Sequence, residues 1–161
     1  SEFNEAVSLE WWVSDLWGHK GLQRLFKDMN EIYRATPALY ELDNSPEGFF
    51  WLNADDSSAN CYSWVRKDAS GGMVACITNF SPDPYPTYQL GLPKEGVWTE
   101  ILNTNAGFYD GEGGYGNMGQ VIAGPVGNHG QPASASVCVP PLASVWLRYE
   151  PESPERSAIS Q

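Results

Sequence analysis

The sequence predicts a mainly β protein, an antiparallel β-sandwich preceded by one amphipathic α-helix. Three observations carry that prediction. Between Phe49 and Tyr149 lie eight short runs rich in β-branched and aromatic residues, spaced at about 8–12 residues. Sixteen glycines and 12 prolines punctuate the chain, a composition that makes many tight turns. Only one segment, Gly18 to Arg34, has helical periodicity.

The helix comes first, after a leading segment that reads as a loop. Leu22, Leu25, Phe26, Met29, Ile32 and Tyr33 follow one another at intervals of 3, 1, 3, 3 and 1, which makes a single apolar stripe. Pro37 ends it, because the residue before a proline is pushed out of the helical region. Such a stripe must rest on something, either the sheet that follows or a larger body outside this chain. The expected strands are then Phe49–Asn53, Cys61–Lys67, Met73–Asn79, Tyr88–Leu92, Trp98–Leu102, Val121–Ala123, Ser136–Val139 and Ala143–Tyr149. Turn-forming clusters separate them at Asp55 to Ser58, Asp68 to Gly72, Ser81 to Pro86 and Pro93 to Gly96. The glycine-rich stretch from Gly107 to Gly119 holds a strand poorly and reads as a long loop, and the residues after Glu150 as a frayed tail.

Composition narrows the function classes. A length of 161 residues suits one domain, or one domain plus a piece of another. Nine basic against 20 acidic residues give a net charge of −11, which repels phosphate backbones and anionic headgroups. Nucleic acid and membrane are therefore not expected as partners, and no run of ~18 apolar residues could cross a bilayer. Ser1 to Glu5 lack the basic start and apolar stretch of a signal peptide. Hydrophobic residues at 42% against 18% charged residues supply a real core. Cys61, Cys76 and Cys138 are odd in number and contain no CxxC pair, so neither a disulfide framework nor a zinc site is expected. That usage fits a reducing cytoplasm.

Candidate chemistry is sparse. Residues 111–116, Gly-Glu-Gly-Gly-Tyr-Gly, spell GxGxxG, but no amphipathic helix follows and Glu112 would face any phosphate; the segment reads as a loop. His19 and His129 have no metal-ligand spacing, and His129 is expected to hydrogen-bond backbone in a turn. Asp55-Asp56 is an adjacent carboxylate pair in a turn cluster, and turn chemistry explains it better than the paired carboxylates of a glycosidase. Asn79-Phe80-Ser81 matches a glycosylation sequon that a cytoplasmic chain would not use. No metal, cofactor or catalytic set is expected. What remains is an excess of aromatics: seven Trp, eight Tyr and six Phe. Aromatic faces stack on sugar rings. Strand alternation puts Phe49 and Trp51 on one face and Phe50 and Leu52 on the other, so Trp51 is the candidate sugar platform if its face is the open one.

Read as text, the chain resembles the C-terminal end of bacterial 1,4-α-glucan (glycogen) branching enzymes, nearly continuously from residue 1 to about Tyr149. Ser1-Glu2-Phe3-Asn4 is similar to the Glu-Trp loop after the eighth barrel strand, with Phe3 at the family's Trp. Ser8-Leu9-Glu10-Trp11 resembles its Leu-Asp-Trp segment, and Gly21 to Leu25 with Asp28, Asn30, Tyr33 and Arg34 its last barrel helix. Leu42-Asp43, Pro46-Glu47-Gly48-Phe49 with Trp51, Asp55-Asp56, Asn79-Phe80-Ser81-Pro82, Trp98 to Thr104 and Pro140-Pro141-Leu142-Ala143 complete the series.

The resemblance implies a division. Residues 1–36 would be the last loop and helix of a (β/α)8 catalytic barrel, 37–150 a C-terminal all-β sandwich domain of the amylase type, and 151–161 a flexible tail. The implied parent reaction is a retaining transglycosylation: a carboxylate cuts an α-1,4 bond, and a glucan 6-hydroxyl attacks the glycosyl-enzyme. The family's catalytic Asp, Glu and second Asp lie on earlier strands, so this chain alone is expected to be inactive. Its implied partners are α-glucan and the missing barrel, with Trp51 and Phe3 as the residues placed to touch glucan. The competing reading from another class is an Ig-like protein-interaction module without sugar affinity.

Overall fold

The computed structural model describes residues 6–151. One helix, α1 (His19–Ala35), precedes eight strands: β1 (Phe49–Asp56), β2 (Cys61–Lys67), β3 (Met73–Asn79), β4 (Tyr85–Leu92), β5 (Gly96–Asn103), β6 (Gln120–Ala123), β7 (Ala133–Val139) and β8 (Ala143–Tyr149). Short 3-10 turns occupy Trp11–Asp15, Pro37–Leu39, Pro46–Gly48 and Gly107–Tyr109. Every expected strand is present. β1, β4 and β7 each run three residues beyond their expected bounds, and β4 begins inside the anticipated turn and contains Pro86. A proline is tolerated there because β4 pairs with β7 alone and the register shifts between Tyr85 and Tyr88, so no ladder bond is lost.

All pairings are antiparallel. Six strands form one sheet in the order β1-β2-β3-β8-β5-β6, and β4-β7 form a second. The main core fills the space between them. Leu52, Val65, Ile77, Trp98, Val145 and Leu147 from the large sheet meet Leu90, Leu92, Val137 and Val139 from the small one. Trp98 is fully buried and its indole N–H donates to the Lys94 carbonyl at 3.0 Å, so its one polar atom is satisfied.

The opposite face of the large sheet is covered only in part. Ala38 and Leu39, from the turn after α1, pack with Ile32 on Val74, Cys76, Trp64 and Trp146. This second layer explains why β3 is buried along nearly all of its length rather than at alternate residues. The layering thus runs helix and turn, six-stranded sheet, two-stranded sheet.

Asn79 is buried where β3 ends and ties its loop together. Its amide donates to the Asp83 and Pro140 carbonyls at 2.8 and 3.0 Å, and its Oδ1 accepts from Ser81 N–H at 2.7 Å. The sequon match is therefore a structural corner.

Candidate functional site

Trp51 stands where the cover ends. A single cross-strand row on the outer face of the large sheet runs Trp51, Trp64, Cys76, Trp146 through β1, β2, β3 and β8. The helix-and-turn layer shields the last three. Trp51, on edge strand β1, lies beyond it and is 52% exposed. Its neighbour Phe49 is 39% exposed, while Leu52 is buried and Phe50 packs on the main core. The expected alternation thus places Phe49 and Trp51 on the more open face.

Aromatic contacts hold Trp51 in position. Phe49 meets it edge to face at 5.2 Å between ring centroids, and Trp64 at 6.1 Å. Such contacts fix an indole without covering both of its faces. Phe3, the other residue expected to touch sugar, lies outside the described residues.

The carboxylates are occupied with structure. Among the described residues, five acidic side chains are not fully exposed: Asp28, Asp56, Asp68, Glu100 and Asp110. Each has partners. Asp28 accepts from the Tyr109 hydroxyl, Asp68 from Ser70 and Gly72, and Glu100 from Asn117. Asp110 accepts from Gly18 N–H and the Arg24 guanidinium.

Asp56 accepts from the Tyr88 hydroxyl at 2.6 Å, from Ser58 and from the Ala59 amide. Burial works to raise its pKa, but the bonds from Tyr88, Ala59 and Ser58, with the nearby His129, hold it below the ordinary value. Tyr88 is pushed up by burial and by the same carboxylate. Asp55, one residue away, is exposed and shares none of these bonds. Asp55 and Asp56 are the last residues of β1 and the turn starts at Ser57; Asp56 serves that turn through Ser58 and Ala59, and the pair brings no two carboxylates to one site.

His129 sits in the turn Gly127 to Gly130 with φ of 49°, and its Nδ1 accepts from Gly91 N–H at 3.2 Å. Burial lowers its pKa, with Asp56 pulling the other way. This is the backbone-bonding role expected of it. The GxGxxG stretch has no strand before it or helix after it, and the residue preceding it, Asp110, turns back onto α1. No group of three or more His, Cys, Asp or Glu among the described residues could hold a metal ion. No helix among them is long and apolar enough to cross a membrane.

Two features escaped the sequence reading. One is the contact of Asp110 with Gly18 and Arg24, which joins residues 92 and 86 positions apart and leaves no local signal. The other is the exposure of Trp11, Trp12 and Trp17 ahead of α1.

Comparison with known proteins accounts for this architecture. A family model described as the α-amylase C-terminal all-beta domain matches residues 51–150. A 1,4-alpha-glucan branching enzyme GlgB from Cutibacterium acnes is 56% identical over 153 residues, covering 94% of this chain and 24% of that enzyme. GlgB proteins from Frankia casuarinae and Mycobacterium tuberculosis are each 44% identical, covering 91% of this chain and 18% and 20% of their own lengths. The chain thus spans a quarter or less of these curated relatives. With the match running from β1 to the end of β8, the chain belongs to the family of α-amylase C-terminal all-beta domains.

Proposed function

We propose that this chain is the C-terminal segment of a cytoplasmic bacterial glycogen branching enzyme, which cuts α-1,4-glucan and transfers the cut chain to a 6-hydroxyl. Residues 1–36 are then the last loop and helix of the catalytic barrel, 37–150 its β-domain and 151–161 a tail. The observation that carries this reading is an apolar surface that the described residues leave open. Leu22, Phe26 and Tyr33 of α1 are exposed, and so are Trp11, Trp12, Leu16 and Trp17 ahead of it. Exposed apolar surface of that extent marks an interface, and relatives of which this chain covers only 24% and 18% supply a body to fill it.

The catalytic carboxylates of this reading lie on earlier barrel strands; among the described residues, each partly buried carboxylate is held by structural partners. The segment's direct contribution is glucan contact away from the reacting bond. Trp51 offers an exposed indole on a sheet edge, and weak stacking contacts gain from the many repeats of a polymer. In this reading the segment ahead of α1 follows the eighth barrel strand, whose loops line the active side in barrels of this kind, and Phe3 is its candidate glucan contact.

The test is direct. Amylose incubated with this chain alone gains no α-1,6 anomeric signal by NMR, whereas the complete polypeptide that carries it produces that signal. A complete polypeptide without branching activity would overturn the reading.

A further inference from the structure

Helix α1 lacks a cap of its own. Its N-cap residue is Gly18, with φ of 83° and no side chain to receive the first amide protons. The acceptor comes instead from Asp110, at the end of the 3-10 turn Gly107–Tyr109 in the β-domain's glycine-rich loop. Asp110 Oδ2 accepts from Gly18 N–H at 3.2 Å, while Oδ1 takes the Arg24 guanidinium at 2.7 Å. The carboxylate is only 16% exposed and stands at the positive end of the helix.

Three more contacts seat the same loop. The Tyr109 hydroxyl donates to Asp28 Oδ2 at 2.8 Å, and Arg24 lies over the Phe108 ring at 5.3 Å. Gly21 is the only buried residue of α1, and a Cβ there would stand 2.1 Å from the Tyr109 carbonyl oxygen. The helix therefore carries a glycine, an arginine and an aspartate at the positions where one β-domain loop touches it.

What this grip controls lies just upstream. Lys20 N–H bonds the Leu16 carbonyl, Leu16 N–H bonds that of Val13, and Lys20 pairs with Asp15. The tryptophan-bearing turn Trp11–Asp15 is thus tied to the turn of helix that Asp110 caps. We infer that Asp110 is a positioning residue: acting through Gly18 and Arg24, the β-domain sets the placement of the Trp11–Trp17 segment on the substrate side of the barrel. The local half of this inference stands on the geometry alone; the substrate half rests on the branching-enzyme reading.

The test uses amide exchange by NMR on this chain and on its Asp110→Ala and Asp110→Asn variants. Asp110→Ala is expected to lower protection of amides 18–22 by about fivefold or more and to move the indole N–H signals of Trp11, Trp12 and Trp17. The β3 and β8 amides keep their protection. Asp110→Asn keeps an acceptor for Gly18 but loses the charge facing Arg24, and falls between. Should Asp110→Ala unfold the whole chain, Asp110→Asn carries the test, and wild-type behaviour of amides 18–22 would overturn the inference.

In the complete polypeptide, Asp110→Ala is expected to raise KM for amylose several-fold with kcat within about twofold, as loss of positioning without loss of chemistry requires. An unchanged KM beside loosened amides 18–22 would refute the substrate half. An unsubstituted polypeptide that does not branch amylose refutes the branching-enzyme reading instead and leaves the exchange result standing.

Discussion

Asn117 gives the sharpest test of how the two sheets are held together. Its side chain behaves like a short piece of strand: Oδ1 accepts from Cys138 N–H at 2.7 Å, and Nδ2 donates to the Cys138 carbonyl at 3.1 Å and to Glu100 Oε2 at 2.6 Å. One amide thus ties β5 of the large sheet to β7 of the small one. Asn117→Ala removes all three bonds and leaves both Cys138 backbone groups without their partner. Counting about 1 kcal/mol for each bond, with water reaching the partly exposed Glu100, gives a loss of about 3 kcal/mol. For a domain of this size that lowers the Tm by roughly 6–12 °C.

Asn117→Asp is expected to be worse than Ala at neutral pH, because an oxygen replaces the nitrogen that faces both Glu100 and the Cys138 carbonyl. Its deficit fades on acidification, as either carboxylate takes a proton. Thermal and urea unfolding of the three proteins measure this. An Asn117→Ala variant within 2 °C of wild type, or an Asp variant as stable as wild type at pH 7, would refute the reasoning.

Gly21→Ala sets two effects against each other. In an exposed helix it would stabilise by about 1 kcal/mol through propensity, but here the new Cβ meets the Tyr109 carbonyl and Asp110 carboxylate at 2.1 and 2.6 Å. Displacement of that loop wins, giving a net loss of about 2 kcal/mol in chemical denaturation; a stabilised variant would mean the loop is not seated on α1. His129 makes stability depend on pH. Burial holds its folded pKa below the ordinary 6.5, so the unfolded chain takes up the proton first. Its contribution is complete above about pH 6.5 and is lost as pH falls through the lower folded value, where protonation of Nδ1 breaks the bond from Gly91. Urea midpoints at pH 5 and 7.5 are expected to differ more for wild type than for His129→Asn, and equal differences would discount the bond.

The strands were legible because their cause is local. β-Branched and aromatic runs between turn clusters specify strands whatever lies beyond them, and alternation separates Phe49 and Trp51 from Phe50 and Leu52; which of the two faces is core follows only from the assembled sheets, where Leu52 is buried and Trp51 half exposed. Pro86 was misread for the same reason: a proline argues against a strand unless that strand is an edge, and edge position is a property of the assembled sheet. Trp51 and Trp64 look alike in the sequence, yet only Trp64 is covered by the layer that follows α1. Asp110 was invisible because its partners are a glycine and an arginine in another part of the chain. Local pattern sorts side chains onto two faces, and tertiary contacts decide which of them stays open.

The claim that this domain touches glucan through its sheet edge is met most directly by calorimetric titration with a long malto-oligosaccharide, run on wild type and Trp51→Ala. Saturable heat in the wild type and none in the variant is the predicted result, with the variant still unfolding cooperatively, a few degrees lower, because it loses the ring contacts with Phe49 and Trp64. No heat from the wild type up to millimolar ligand, or equal binding by the variant, would contradict it.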